Sequence, residues 1–126
     1  MNIKSTNEEL SAINEYLSKH EWMDFEFRFK DNGAIELYGD IDKYFAHYES
    51  IVIEFIQPKH INGTLCHIPF SKGKPFIELV SESEAKKSIG IRINEGEYIF
   101  KINADDDVPA WVVSKSIKCN ILKPHK

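Results

Sequence analysis

The hydrophobic period of this chain changes near residue 20, and that change limits the folds open to it. Before it, Leu10, Ile13 and Leu17 recur at i, i+3 and i+7 with Ala12 and Tyr16 beside them, drawing one apolar stripe along a helix with a charged opposite face. Thr6-Asn7-Glu8-Glu9 precedes the stripe in capping-box form: the Thr6 hydroxyl accepts from the Glu9 backbone N–H while the Glu9 carboxylate reaches back to the Thr6 N–H. Lys19 and His20 put positive charge at the C-terminal end, where a helix dipole favours it. A helix over residues 7–19 is therefore expected.

From there on the period is two. Phe25, Phe27 and Phe29 alternate with Glu26, Arg28 and Lys30, Asp31-Asn32-Gly33 turns the chain, and Ile35, Leu37 and Ile41 then alternate with Glu36, Tyr38 and Asp40. A three-residue loop with Gly33 in the left-handed conformation pairs Lys30 with Ala34, Arg28 with Glu36, Phe29 with Ile35 and Phe27 with Leu37. That register satisfies both faces at once, whereas a one-residue slip would turn every phenylalanine to water. The same alternation recurs at Ile51, Ile53 and Phe55, at Cys66, Ile68 and Phe70, and at Ile77 with Leu79 or, on the opposite face, Phe76 with Val80. Ile89, Ile91 and Ile93 lead into Asn94-Glu95-Gly96-Glu97, and a two-residue Glu95-Gly96 loop would set Ile93 against Tyr98, Ile91 against Phe100 and Ile89 against Ile102. A long last strand is expected over residues 110–122.

Turn chemistry separates these strands: Pro58 with Asn62-Gly63, then Ser71-Lys72-Gly73-Lys74-Pro75, then the polar residues 81–87, which suit one helical turn. The expected fold class is α+β, one N-terminal helix packed on a curved, mostly antiparallel meander of about eight strands. A single helix cannot cover so wide an apolar face, so the sheet must curl into a partly closed barrel or fold into a sandwich. The 126 residues make a single domain, 1–126, and at that length folding buries roughly two thirds of the unfolded chain's surface.

The charge is −4 overall but unevenly spread. Residues 1–63 carry 12 acids and 6 bases, whereas residues 64–126 carry 8 acids and 10 bases. Within residues 21–42, Glu21, Asp24, Glu26, Asp31, Glu36, Asp40 and Asp42 are opposed only by Arg28 and Lys30. An acidic balance argues against a nucleic-acid partner, since duplex binding rests on neutralising phosphates with Lys and Arg. The N-terminus has no apolar signal region, and no apolar run approaches the roughly 20 residues needed to span a bilayer, so the expected place is the cytoplasm and no membrane partner is expected. Cys66 and Cys119 match no ligand spacing and sit in strand-like alternations, where a free thiol behaves as a small apolar residue.

Metal binding, catalysis and recognition are the kinds of chemistry these residue types could support. Asp105, Asp106 and Asp107 invite a metal, but counting from Asp105 puts Ala110 at the sixth position and Ser116 at the twelfth, where a calcium loop needs Gly and Glu. His20, His47, His60, His67 and His125 form no metal-binding pair at helical spacing, so neither a metal nor another cofactor is expected. Cys66 and His67 are adjacent and on a strand point to opposite faces, so they make no catalytic dyad, and an enzyme is not expected. What remains is recognition. Glu36, Tyr38, Asp40 and Asp42 on the first hairpin, the loop of Asp105, Asp106 and Asp107, and Trp111 beside it are the candidate contacts for a basic protein partner, the acids steering association and the aromatics anchoring it. Each also has a plainer role, as solvated loop, edge-protecting charge or, for Trp111, core.

A small acidic chain with a leading helix, a β-meander and no catalytic motif resembles the bacterial immunity proteins that neutralise delivered toxins, including those of contact-dependent growth inhibition. The resemblance is of size, charge and pattern over the whole chain. It implies an inhibitor that occludes a basic toxin domain, often a nuclease, by covering its active-site cleft with an acidic surface. A small-ligand-binding barrel is the alternative, and an enzyme whose site assembles only on folding a second one. The number of copies in the assembly is not readable from the sequence.

Overall fold

A computed structural model describes residues 3–19, 22–40, 50–63, 68–71, 73, 75–90, 92–104 and 109–122. The elements are α1 (Ile3–Ser18), β1 (Trp22–Phe29), β2 (Ile35–Asp40), β3 (Ser50–Asn62), β4 (Ile68–Ser71), β5 (Ile77–Val80), α2 (Glu82–Ile89), β6 (Tyr98–Ile102) and β7 (Ala110–Leu122). Every pairing is antiparallel, and the seven strands form one sheet in the order β4-β1-β2-β3-β7-β6-β5. The sheet curls into a half-barrel, so the expected α+β architecture with a curved meander holds.

The first hairpin has the predicted register, with Arg28 opposite Glu36, Phe27 opposite Leu37 and Phe29 opposite Ile35. Its turn closes as the residue types require. Gly33 takes φ +86°, the Lys30 N–H donates to the Ala34 carbonyl at 3.0 Å, and the Asn32 side-chain oxygen accepts from the Ala34 N–H at 3.0 Å. On the inner face of the curl, Leu10, Ile13, Tyr16 and Leu17 of α1, which lies against β7 and β5, join one buried cluster with Phe25, Leu37, Ile51, Ile53, Phe55, Ile68 and Phe70. Phe25 stacks on Phe76 with centroids 4.3 Å apart, and Phe76 meets Phe70 edge-on at 5.5 Å, so aromatic rings occupy the space between helix and sheet.

Gly39 makes that stacking possible. A Cβ built there would lie 2.3 Å from Phe25 Cε1, so the ring rests on bare backbone. Gly39→Ala must push Phe25 off its seat against Phe76, and is expected to cost about 2 kcal/mol, within the range for overpacked cores, measurable as a lower urea midpoint at unchanged slope. An unchanged midpoint would mean that the ring has another place to go.

Several expectations are corrected. The helix starts one turn before the capping box, at Ile3, and Thr6 is fully buried within it, because Thr6 extends the inward stripe of Leu10, Ile13 and Leu17 by one turn. Pro58 is not a break but lies inside β3, which continues to Asn62 and pairs with β7 on its other side. Beyond Phe55 that strand has no pairing with β2, so the missing proline N–H costs no ladder bond there. The register with β7 shifts between Pro58 and His60, and Gln57 takes φ +52°; this irregularity falls in the span where β3 runs on past β2.

The strand expected at Ile89, Ile91 and Ile93 gives way to α2 at Ile89; Ile93 lies in no strand, and Ile91 is outside the described residues. Ser81 caps that helix by accepting from the Glu84 N–H at 3.1 Å, and Gly90, left-handed at φ +70°, ends it by donating to the Ala85 and Lys86 carbonyls. Acids at Glu82 and Glu84 and bases at Lys86 and Lys87 match the helix dipole, a combination that outweighs the isoleucine alternation. The turn at residues 94–97 does form, through the Glu97 N–H to the Asn94 carbonyl, but β6 pairs with β5 and β7, so the described strands number seven. Among the described residues no helix is long and apolar enough to cross a membrane.

Candidate functional site

The two faces of the sheet are covered differently. On the outer face α2 lies over the β6–β7 end, where buried Ala85 packs with Ile99, Trp111 and Val113. Lys101 bridges this cover, with its ammonium 5.3 Å from the Trp111 ring centroid and 3.8 Å from Glu84. Trp111 is 4 % exposed, so its expected part as a contact residue gives way to its alternative as core: the indole sits under α2.

The β1–β2–β3 end of the outer face carries charge instead. Strand alternation sends Asp24, Glu26 and Arg28 from β1, Glu36, Tyr38 and Asp40 from β2, and Val52 and Glu54 from β3 to this side, and the registers array them in rows. Nearest the turn, Arg28 faces Glu36, which faces Glu54, which faces Lys118 of β7. In the next row Glu26 faces Tyr38 and Tyr38 faces Val52. In the last, Asp24 directly faces Asp40.

Positive charge gathers toward the turn. Arg28 Nη2 lies 2.9 Å from Glu26 Oε1, its guanidinium sits 3.7 Å from the Tyr38 ring centroid, and Lys30 is 3.8 Å from Glu36. Tyr38 is thus half-buried rather than exposed as expected, sandwiched under Arg28 and donating its hydroxyl hydrogen to Asp40 Oδ2 at 3.2 Å. Such a stack stabilises by about 0.5–1 kcal/mol at a surface site and fixes the ring's orientation. The far row has the opposite character, with two carboxylates in register. Glu36 opposite Glu54 repeats that juxtaposition of acids, there with Lys30 and Lys118 alongside.

The sequence-predicted residues therefore divide. Glu36, Tyr38 and Asp40 share one outward surface; Trp111 is in the core; Asp42, Asp105, Asp106 and Asp107 lie outside the described residues. Glu54 and Arg28 were missed as parts of the surface. The alternation of Ile51, Ile53 and Phe55 already turns Glu54 outward, but only the pairing of β2 with β3 brings it beside Glu36.

Cys119, on the inner face opposite Ile53, is a free thiol, half-buried against the core. Burial pushes its pKa up to about 11, and the Glu9 carboxylate of α1 adds to the shift. Its thiolate fraction at neutral pH is correspondingly small, so alkylation by iodoacetamide at pH 7.5 is expected on the order of a hundredfold more slowly than that of an ordinary thiol. Peptide mapping separates its label from that of Cys66, which lies outside the described residues; a rate equal to that of glutathione would contradict the burial. Glu97 shifts the other way. A hydrogen bond from the Asn94 backbone N–H at 2.6 Å, with Lys59 at 3.2 Å, holds its carboxyl below the usual range and ties the 94–97 turn to β3.

In comparisons with family models, curated proteins and solved structures, none matched this chain.

Proposed function

We propose that this chain is a cytoplasmic, non-enzymatic immunity protein that inhibits a basic toxin domain, most simply a nuclease, by laying the acidic outer face of β1–β3 over its phosphate-binding cleft. One observation carries the reading: Asp24, Glu26, Glu36, Asp40 and Glu54 stand at neighbouring register positions on one outward face of β1–β3, away from the β6–β7 end that α2 covers. Acidic side chains gathered on one rigid face present a field that steers a basic partner and complements its charge on binding. Glu26, Glu36 and Glu54 extend the same field, and Tyr38, fixed between Arg28 and Asp40, supplies an aromatic centre already held in place. The interaction needs no cofactor and no metal. Asp42, Asp105, Asp106 and Asp107 are candidates for enlarging the contact.

The test uses the polypeptide encoded by the neighbouring gene, since an inhibitor of this kind is expected beside its toxin. Mixed with that purified domain, the protein should form a one-to-one complex by light scattering and abolish its activity. A neighbouring product that neither binds nor is inhibited removes the reading.

A further inference from the structure

Where β3 outruns β2, the sheet leaves a notch. Pairing between them ends at Ile35 with Phe55, while β3 continues alongside β7 to Asn62. The notch is a surface cleft of about 250 Å³ lined by Phe29, Ile35, Pro58 and Ile61 together with the exposed Lys30, Lys59 and His60. Phe29 follows the inward alternation of β1, yet it is 58 % exposed, the most exposed large apolar side chain among the described residues. Across the cleft from it, β3 carries the register shift between Pro58 and His60. Next to the cleft, Gln57 holds φ +52° ahead of Pro58, a backbone that residues with side chains adopt only where their surroundings fix it.

We infer that this notch is the apolar anchor point for the protein partner, taking one large apolar side chain that carries a carboxylate next to it. The apolar half follows from the lining, because a side chain seated between Phe29, Pro58 and Ile61 removes their surface and its own from water. The carboxylate follows from the charge. Lys30 lies 3.8 Å from Glu36, and Lys59 donates to Glu97 at 3.2 Å and to the Arg92 carbonyl at 3.3 Å; an ammonium has three donors, so each retains at least one for a further anion beside His60. A partner spanning the hairpin would thus meet acids on the outer face and cations at its tip, a charge pattern that fixes its orientation. The inference rests on the reading that this hairpin meets a protein, but its test does not.

The probes are N-acetyl-L-tryptophan and N-acetyl-L-tryptophanamide, titrated into the full ¹⁵N-labelled chain at low salt and followed by amide shifts. Saturable shifts are expected at Phe29, Ala34, Lys59 and Ile61, with the uncharged amide binding about threefold more weakly and Phe29→Ala weakening the acid by about tenfold, equivalent to the loss of one well-seated apolar contact. Phe29→Leu keeps an apolar cover and serves if the alanine variant does not fold; a smaller but measurable weakening is expected there. Shifts that do not saturate, shifts scattered elsewhere, or equal affinity in the Phe29 variants would overturn the proposal. Neither probe carries a basic group, so such a failure leaves the acidic face untouched, whereas a partner whose association ignored salt would remove that face and leave the notch.

Discussion

Gly63→Ala is expected to be among the most damaging single substitutions in the chain, lowering stability by about 3 kcal/mol or more and the melting temperature by roughly 10 °C. Gly63 follows the last residue of β3 at φ +116°, a conformation open to little but glycine and costing about 1–3 kcal/mol for a side-chain-bearing residue. A Cβ there would also lie 2.8 Å from Ala110 Cα and 3.0 Å from the Pro109 carbonyl oxygen. Both are backbone, at the start of β7, so nothing flexible can give way. Gly73 supplies the control: its φ is +131°, but a Cβ there meets nothing within 4 Å. Gly73→Ala pays the conformational cost alone, and the difference between the two variants in chemical denaturation isolates the close approach of β3 to β7. Equal losses would show that Ala110 shifts freely, and with it the start of the longest strand pairing in the sheet.

That pair of glycines shows what could and could not be read in advance. Asn62-Gly63 announces the end of a strand by its residue types, and β3 ends there; that the Gly63 backbone presses on Ala110, nearly fifty residues away, is a tertiary fact with no local signature. The first hairpin was legible to the residue because turn chemistry and face alternation demand the same register, and a slip would expose several phenylalanines at once. The helical turn expected within residues 81–87 is there as the start of α2, but its extension to Ile89 was misread because two local signals compete: isoleucine alternation against Ser81, Gly90 and dipole-matched charges. The caps prevailed, since β6 already finds β5 and β7 as neighbours and α2 is needed to cover Trp111. The candidate surface was half legible for a similar reason. Alternation alone assigns Glu36, Tyr38, Asp40 and Glu54 to a face, whereas the opposition of Asp24 to Asp40 needs the pairing of strands, and the burial of Trp111 needs a helix that the alternation concealed.

The second large effect concerns association rather than stability. Replacing Asp24 and Asp40 by Asn and Glu26 by Gln removes three negative charges from the outer face while keeping side-chain shape and hydrogen-bonding capacity. With a basic partner the association rate at low salt is expected to fall by about tenfold to a hundredfold, and the steep salt dependence of the parent protein to flatten, because steering by a field of this kind is screened within about 10 Å at 0.1 M ionic strength. The free variant is expected to stay within about 1 kcal/mol of the parent, since the Asn and Gln side chains introduced at positions 40 and 26 can still accept from Tyr38 and Arg28 at this partly exposed surface, where ion pairs contribute little. Loss of rate with stability nearly unchanged is the combination that separates a recognition surface from a structural one, because residues kept for folding lose stability when neutralised. The companion replacement of Asp105, Asp106 and Asp107 by Asn measures whether that loop shares the field: an equal loss of rate would extend the surface to it, and none would confine recognition to the hairpin. A hairpin variant whose association rate matched the parent's at both low and high salt would remove electrostatic steering from the mechanism and, with it, the reason for carboxylates to face each other across β1 and β2.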